Sequence, residues 1–136
     1  MFSNIVNTKF RPDKPMLIWD RDCSFCKYWV LKWKAITKDD VAYVPYQEIS
    51  DEIYDIPQSD FKEAERLIEP GGRVFNGPEA AFRVLSYSSK KHGKWHRRYK
   101  SSEGFKYICD KLYVFIASNR NLTFKITRVI WGKTPV

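Results

Sequence analysis

The 136-residue chain lacks any long apolar run. Its longest, Leu112 to Ala117, falls far short of the roughly 20 residues a helix needs to cross a bilayer. Met1 to Lys14 is broken by Asn4, Asn7, Lys9, Arg11 and Asp13, so it holds no apolar core of signal-peptide length. Cysteine is scarce: three residues do not make the framework of a disulfide-stapled secreted domain. Together these absences set the cytoplasm as the expected location. Internal repeats and low-complexity tracts are absent as well. A chain of this length is expected to form one domain and to bury about two-thirds of its unfolded surface without staples.

What is present is charge, unevenly spread. The net charge is +8, yet residues 38 to 69 carry ten acidic and three basic side chains, leaving a strongly basic remainder. The densest basic run, Lys90 to Lys100, interleaves Lys, Arg and His with Trp95 and Tyr99. Cations with stackable rings suit single-stranded nucleic acid, while the blander expectation for such a run is a solvated connector. A basic flank also steers acidic or thiolate partners.

The stretch from Met16 to Val30 organises the chain. A short apolar run, Met16 to Trp19, leads into Asp20-Arg21-Asp22 and then Cys23-Ser24-Phe25-Cys26 at the start of a helix-periodic segment. If a helix begins near Cys23, its unpaired N–H groups and macrodipole favour a thiolate there, and a depressed pKa makes that thiol nucleophilic near neutrality. Cys26 lies one turn deeper on the same face, placed to resolve a mixed disulfide formed at Cys23. Arg21 and Lys27 add positive potential, Asp20 and Asp22 oppose it, and Asp22 is expected as N-cap. Asp20, at a strand end beside the dithiol, is placed to relay a proton with Cys26.

Other readings of the stretch remain open. The blander alternative makes two cysteines on one helix face small core hydrophobes. A zinc site needs two further ligands, for which His92 and His96 are distant candidates. Asp20-x-Asp22-x-Ser24 after an apolar strand also looks like the first motif of haloacid-dehalogenase phosphatases, with Asp20 as nucleophile, Asp22 as acid/base and Mg²⁺ beside them; no convincing later acidic pair follows an apolar run.

The remaining pattern predicts a small α/β domain: a strand over 17–19, a helix over 25–36, a second strand over 41–46 and a right-handed βαβ crossover joining them. Pro57 is expected to separate two short helical pieces in an irregular segment. Arg66 to Ile68 and Arg73 to Phe75 flank Glu69-Pro70-Gly71-Gly72, a hairpin signature. Pro78 is suited to the first turn of the next helix, with Ala80, Ala81, Val84 and Leu85 as its packing face. Phe105, Ile108, Leu112, Phe115 and Ile116 share a helical stripe beside Cys109, read as core filler. Leu122 to Trp131 fits either strand or helix; an apolar, basic tail of this kind packs over a sheet or touches a membrane surface.

Asp20-Arg21-Asp22-Cys23-Ser24-Phe25-Cys26 with Trp29-Val30 resembles the signature of the DCC family of thiol-disulfide oxidoreductases, named for its Asp-Cys-Cys pattern. The likeness extends through Val44-Pro45-Tyr46-Gln47, Gly72 to Ala81, Leu112-Tyr113, Ala117 to Arg120 and Trp131-Gly132, so it covers about residues 15 to 132. It implies a thioredoxin-like three-layer fold with a small mixed sheet, disulfide exchange through Cys23 and Cys26 supported by Asp20, Asp22, Ser24 and Phe25, no organic cofactor, and protein or small-molecule thiols and disulfides as partners. It also favours a helix for Leu122 to Trp131. The implied organisation is an arm over 1–14 and one domain over 15–136, with a helical extension from about 103. In one respect the chain departs from the pattern: where thioredoxin-like proteins hold a cis-proline against the dithiol, Ala64-Glu65 stands instead.

Overall fold

Alternation along one short strand sets the architecture. In the computed structural model, which describes residues 5–132 except 50, 54 and 89, with backbone only at 90–92 and 131, β1 (Met16–Trp19) lies inside a four-stranded sheet. It pairs in parallel with β2 (Ala42–Pro45) and antiparallel with β3 (Arg66–Ile68), which pairs antiparallel with β4 (Val74–Asn76), giving the order β2-β1-β3-β4. Successive side chains point to opposite faces of a strand. Leu17, Leu67 and Phe75, neighbours in register, therefore face one side and pack with Val30, Ala80 and Val84. Ile18 and Ile68 face the other, against Tyr46, Ile49 and Phe61. Each such side chain, taken fully out of water, stabilises the fold by about 1.5–3 kcal/mol before entropy is counted.

Helices cover both faces. On one lie α1 (Ser24–Thr37) and α4 (Pro78–Ser86); on the other lie the short α2 (Tyr46–Ile49) and α3 (Gln58–Glu63). Pro57 precedes α3, as expected of a residue that starts helices better than it continues them, and Pro78 takes the first turn of α4. Three further helices, α5 (Lys90–Ser101), α6 (Glu103–Ser118) and α7 (Arg120–Trp131), complete the described chain. Residues 5–10 run beside β4: Val74 donates to the Val6 carbonyl at 2.8 Å, Thr8 to Gly72 at 2.9 Å, and Ile5 and Phe10 join the α2–α3 core. Gly72 has φ +87, and a Cβ there would lie 2.6 Å from the Thr8 carbonyl oxygen, so only glycine fits the hairpin turn.

Two expectations change. The basic run, read as an exposed connector, is the helix α5, because its aromatics pack: Trp95 stacks on Phe105 at 6.3 Å and Tyr99 is buried. The stripe on α6 is helical as expected but is not a core face, since Ile108, Leu112 and Phe115 remain more than half exposed.

A buried charge ties β3 to β4, α3 and the N-terminal segment. Arg66 is wholly buried; its guanidinium donates to Asn76 Oδ1 at 2.6 Å and to the Asp60 carbonyl at 2.9 Å, and Asn76 donates in turn to the Ile5 carbonyl at 2.7 Å.

Candidate active site

The site forms where β1 ends and α1 begins. The Asp20 carboxylate accepts the Asp22 N–H at 3.0 Å, and Cys23 donates its N–H to the Asp20 carbonyl at 3.2 Å. That side-chain-closed turn delays the helix by one residue. Cys23 rather than the expected Asp22 is therefore the N-cap, in extended conformation (φ −98, ψ 105). Asp22 is exposed, and Ser24 is exposed at the first helical position.

As N-cap, Cys23 accepts the Cys26 backbone N–H at 3.1 Å on Sγ, the place a Ser or Asp oxygen usually takes. The Cys26 thiol also donates to the Cys23 sulfur. Three effects lower the Cys23 pKa to about 7: the Cys26 thiol, its N–H and the Arg120 charge outweigh burial and Asp20. Cys26 moves the other way, held protonated by the hydrogen bond it gives Cys23 and by burial. The two thiols face one another with opposite acid–base character. Both are free thiols, as is Cys109.

Access is distributed less expectedly. Cys23 keeps 4% of its surface exposed, whereas Cys26 is partly exposed and lines a cavity of about 550 Å³ between α1, α4, α6 and α7. Its walls are apolar, with Phe25, Trp29 and Trp33 from α1, Phe82 from α4, and Leu112, Phe115 and Ile126 from α6 and α7. Phe25 meets Trp29 edge-on at 6.3 Å. The polar end is made by Cys26, Glu65, Tyr113 and Arg120.

Three of those residues are distant in sequence. Arg120, at the start of α7, reaches Asp20 Oδ2 at 3.3 Å and the Lys62 carbonyl at 3.2 Å. Burial opposes its charge, but Cys26 and Cys23 raise its pKa. The positive potential on the dithiol thus comes from Arg120; Arg21 turns away to an exposed ion pair with Glu48 at 3.0 Å. Glu65 immediately precedes β3, at the place thioredoxin-like proteins give to a cis-proline. Its N–H donates to the Tyr113 hydroxyl at 3.2 Å, and burial, then the Cys23 charge, push its carboxyl up to about 8. Neither Glu65 nor Tyr113 was singled out as a site residue from sequence. The signals available were the acid at the proline's place and the Tyr113 and Arg120 positions within the family-like C-terminal segments.

Asp20 is buried and saturated: besides Asp22 and Arg120, Gln47 donates to it at 2.8 Å. Asp20 thus already serves three donors, while Asp22 is exposed. His96 bonds Glu79 at 3.1 Å beside Phe75, away from the dithiol; the His92 side chain lies outside the described residues. Among the described residues no group of three His, Cys, Asp or Glu side chains is arranged to hold a metal ion, and no helix is long and apolar enough to cross a membrane.

A family model described as DCC1-like thiol-disulfide oxidoreductase matches residues 17–126, most of the chain. No curated protein and no solved structure matches.

Proposed function

The chain belongs to the DCC1-like thiol-disulfide oxidoreductase family, and from that membership we propose that it exchanges disulfides through Cys23 and Cys26 on a thioredoxin-like scaffold. The observation that carries the proposal is the contact at the mouth of α1: Cys23 Sγ accepts the Cys26 N–H at 3.1 Å, with a pKa lowered to about 7. About half of it is thiolate at neutral pH, close to the optimum for an attacking thiol. The strand order, with a βαβ unit followed by a hairpin and a helix, supports the scaffold assignment.

The reaction runs in two displacements. Cys23 thiolate attacks a substrate disulfide R–S–S–R′, forming Cys23–S–S–R and expelling R′–S⁻. Cys26 then loses its proton and attacks the Cys23 sulfur, expelling R–S⁻ and leaving the Cys23–Cys26 disulfide. An external dithiol reduces that disulfide and resets the pair. Glu65, which lines the same cavity as Cys26 and acts on it electrostatically, takes the Cys26 proton, since Asp20 is occupied by three donors. Because Cys23 is mostly covered, substrate enters along the cavity that Cys26 lines and displaces the Cys26 thiol from its partner. Substrates are thiols and disulfides of proteins or small molecules.

Cys26→Ser tests the roles directly. It removes the resolving step, so under oxidising conditions with a disulfide substrate a covalent adduct should accumulate on Cys23, visible as a mass increase lost on reduction. Absence of adduct from Cys26→Ser, or an equal yield from Cys23→Ser, contradicts the assignment.

A further inference from the structure

The cavity, the basic helices and the exposed apolar stripe meet on one face of the molecule. Residues 90–132 hold eleven basic and two acidic side chains, and one of those acids, Asp110, is buried and paired with Lys106 at 2.7 Å. Of the acidic segment, 38–69, Glu48 to Asp60 belong to α2, α3 and the stretch between them, on the opposite side of the sheet, while Glu65 lines the cavity and Glu69 pairs with Arg83 of α4. Charge is thus segregated between the two faces. On the basic face, Ile108, Leu112, Phe115, Ile126 and Ile130 are 48 to 64% exposed, and Val129 is 85% exposed. Four of these, Leu112, Phe115, Ile126 and Ile130, also line the cavity, so the apolar surface and the cavity wall are continuous. Exposed Lys111, Lys125 and Arg128 stand among them: Lys111 is three residues past Ile108 and Lys125 four before Val129, neighbours on a helix surface.

We propose that the α6–α7 face docks on the surface of an anionic bilayer, with the mouth of the cavity turned toward the lipid. Apolar side chains sink into the boundary between headgroups and acyl chains while flanking Lys and Arg meet anionic headgroups. The acidic face points away, and the resulting dipole orients the molecule as it approaches. A second copy fits this face poorly, since pairing it with itself sets two strongly basic surfaces together. Nucleic acid fits poorly too, because the rings of α5 that would stack on bases are engaged, Trp95 with Phe105 and Tyr99 in the interior. The proposal stands without the redox chemistry; joined to it, the dithiol is served from the membrane side.

Co-sedimentation of the full chain with phosphatidylcholine vesicles, and with vesicles containing about one-quarter phosphatidylserine, tests it. The anionic vesicles should bind at least about tenfold more tightly, and the difference should collapse between about 0.1 and 1 M salt. Val129→Asp with Ile108→Asp, both outside the cavity lining, should lower binding about tenfold or more, and Lys125→Glu with Arg128→Glu should remove the preference for phosphatidylserine. All four positions are exposed, so melting and vesicle-free Cys23–Cys26 pairing should stay as in the parent; that pairing measurement passes or fails independently of lipid. No preference for anionic vesicles, or binding by both double variants as tight as the parent's, overturns the proposal. So does a dimer in sedimentation velocity that Val129→Asp dissociates, which assigns the face to a second copy.

Discussion

At pH 7 Cys23 stands near the midpoint of its titration, so small changes in its surroundings translate directly into thiolate. Arg120 lowers its pKa and Asp20 raises it, although the two side chains are bonded to each other. Arg120→Gln should therefore move the Cys23 alkylation midpoint upward and slow iodoacetamide labelling at pH 7 by about threefold to tenfold; Asp20→Asn should move it downward. Glu65 carries a second pH dependence. Its folded pKa of about 8 lies above its ordinary value of 4.5, so its stabilising contribution is complete below about pH 4.5 and is lost as pH rises through 8. Cys23 is opposite in sign, its pKa depressed from 9.0 to about 7, and adds stability only as pH rises from about 7 toward 9. Urea denaturation across pH 5 to 8 should show a decline on the order of a few kcal/mol that Glu65→Gln flattens. A slope unchanged in Glu65→Gln contradicts this placement of the carboxyl.

Elements show where local pattern was sufficient. The β1–α1 unit, the hairpin and α4 follow from short apolar alternation, Gly and Pro punctuation, and helical spacing, all of which act over a few residues. The N-cap was misplaced because the choice between Asp22 and Cys23 depends on where the Asp20 carboxylate bonds, a tertiary fact. The α6 stripe was read as helical correctly but as buried wrongly, since periodicity reports which residues share a face and not what covers it. Arg66 illustrates the same limit: in sequence it is one cation opening a strand, whereas in the fold it is buried and joins α3, β4 and the N-terminal segment through Asp60, Asn76 and Ile5. Removing it leaves buried acceptors without their donor. Arg66→Ala should lower unfolding free energy by about 2–5 kcal/mol, read from the denaturant midpoint; an unchanged midpoint would show that the network does not hold β3, β4 and α3 together.

Across the whole molecule, the dithiol was legible from seven consecutive residues, while the groups that tune it were not. Glu65, Tyr113 and Arg120 come from the hairpin and the C-terminal helices, brought to Cys26 by packing that no local spacing encodes. The unequal charge along the chain was visible from the start, and the fold converts it into two faces, one acidic and one basic with the cavity opening through it. On this account the chain is an α/β scaffold whose added helices cover and tune one pair of sulfurs. The measurement that bears on it most directly is a redox titration in thiol–disulfide buffers, read by mass-resolved alkylation. Cys23 and Cys26 should lose reactivity together as one two-electron couple, about 30 mV per tenfold change in ratio, with Cys109 alkylated throughout. Independent oxidation of Cys23 and Cys26, or pairing of either with Cys109, would contradict it.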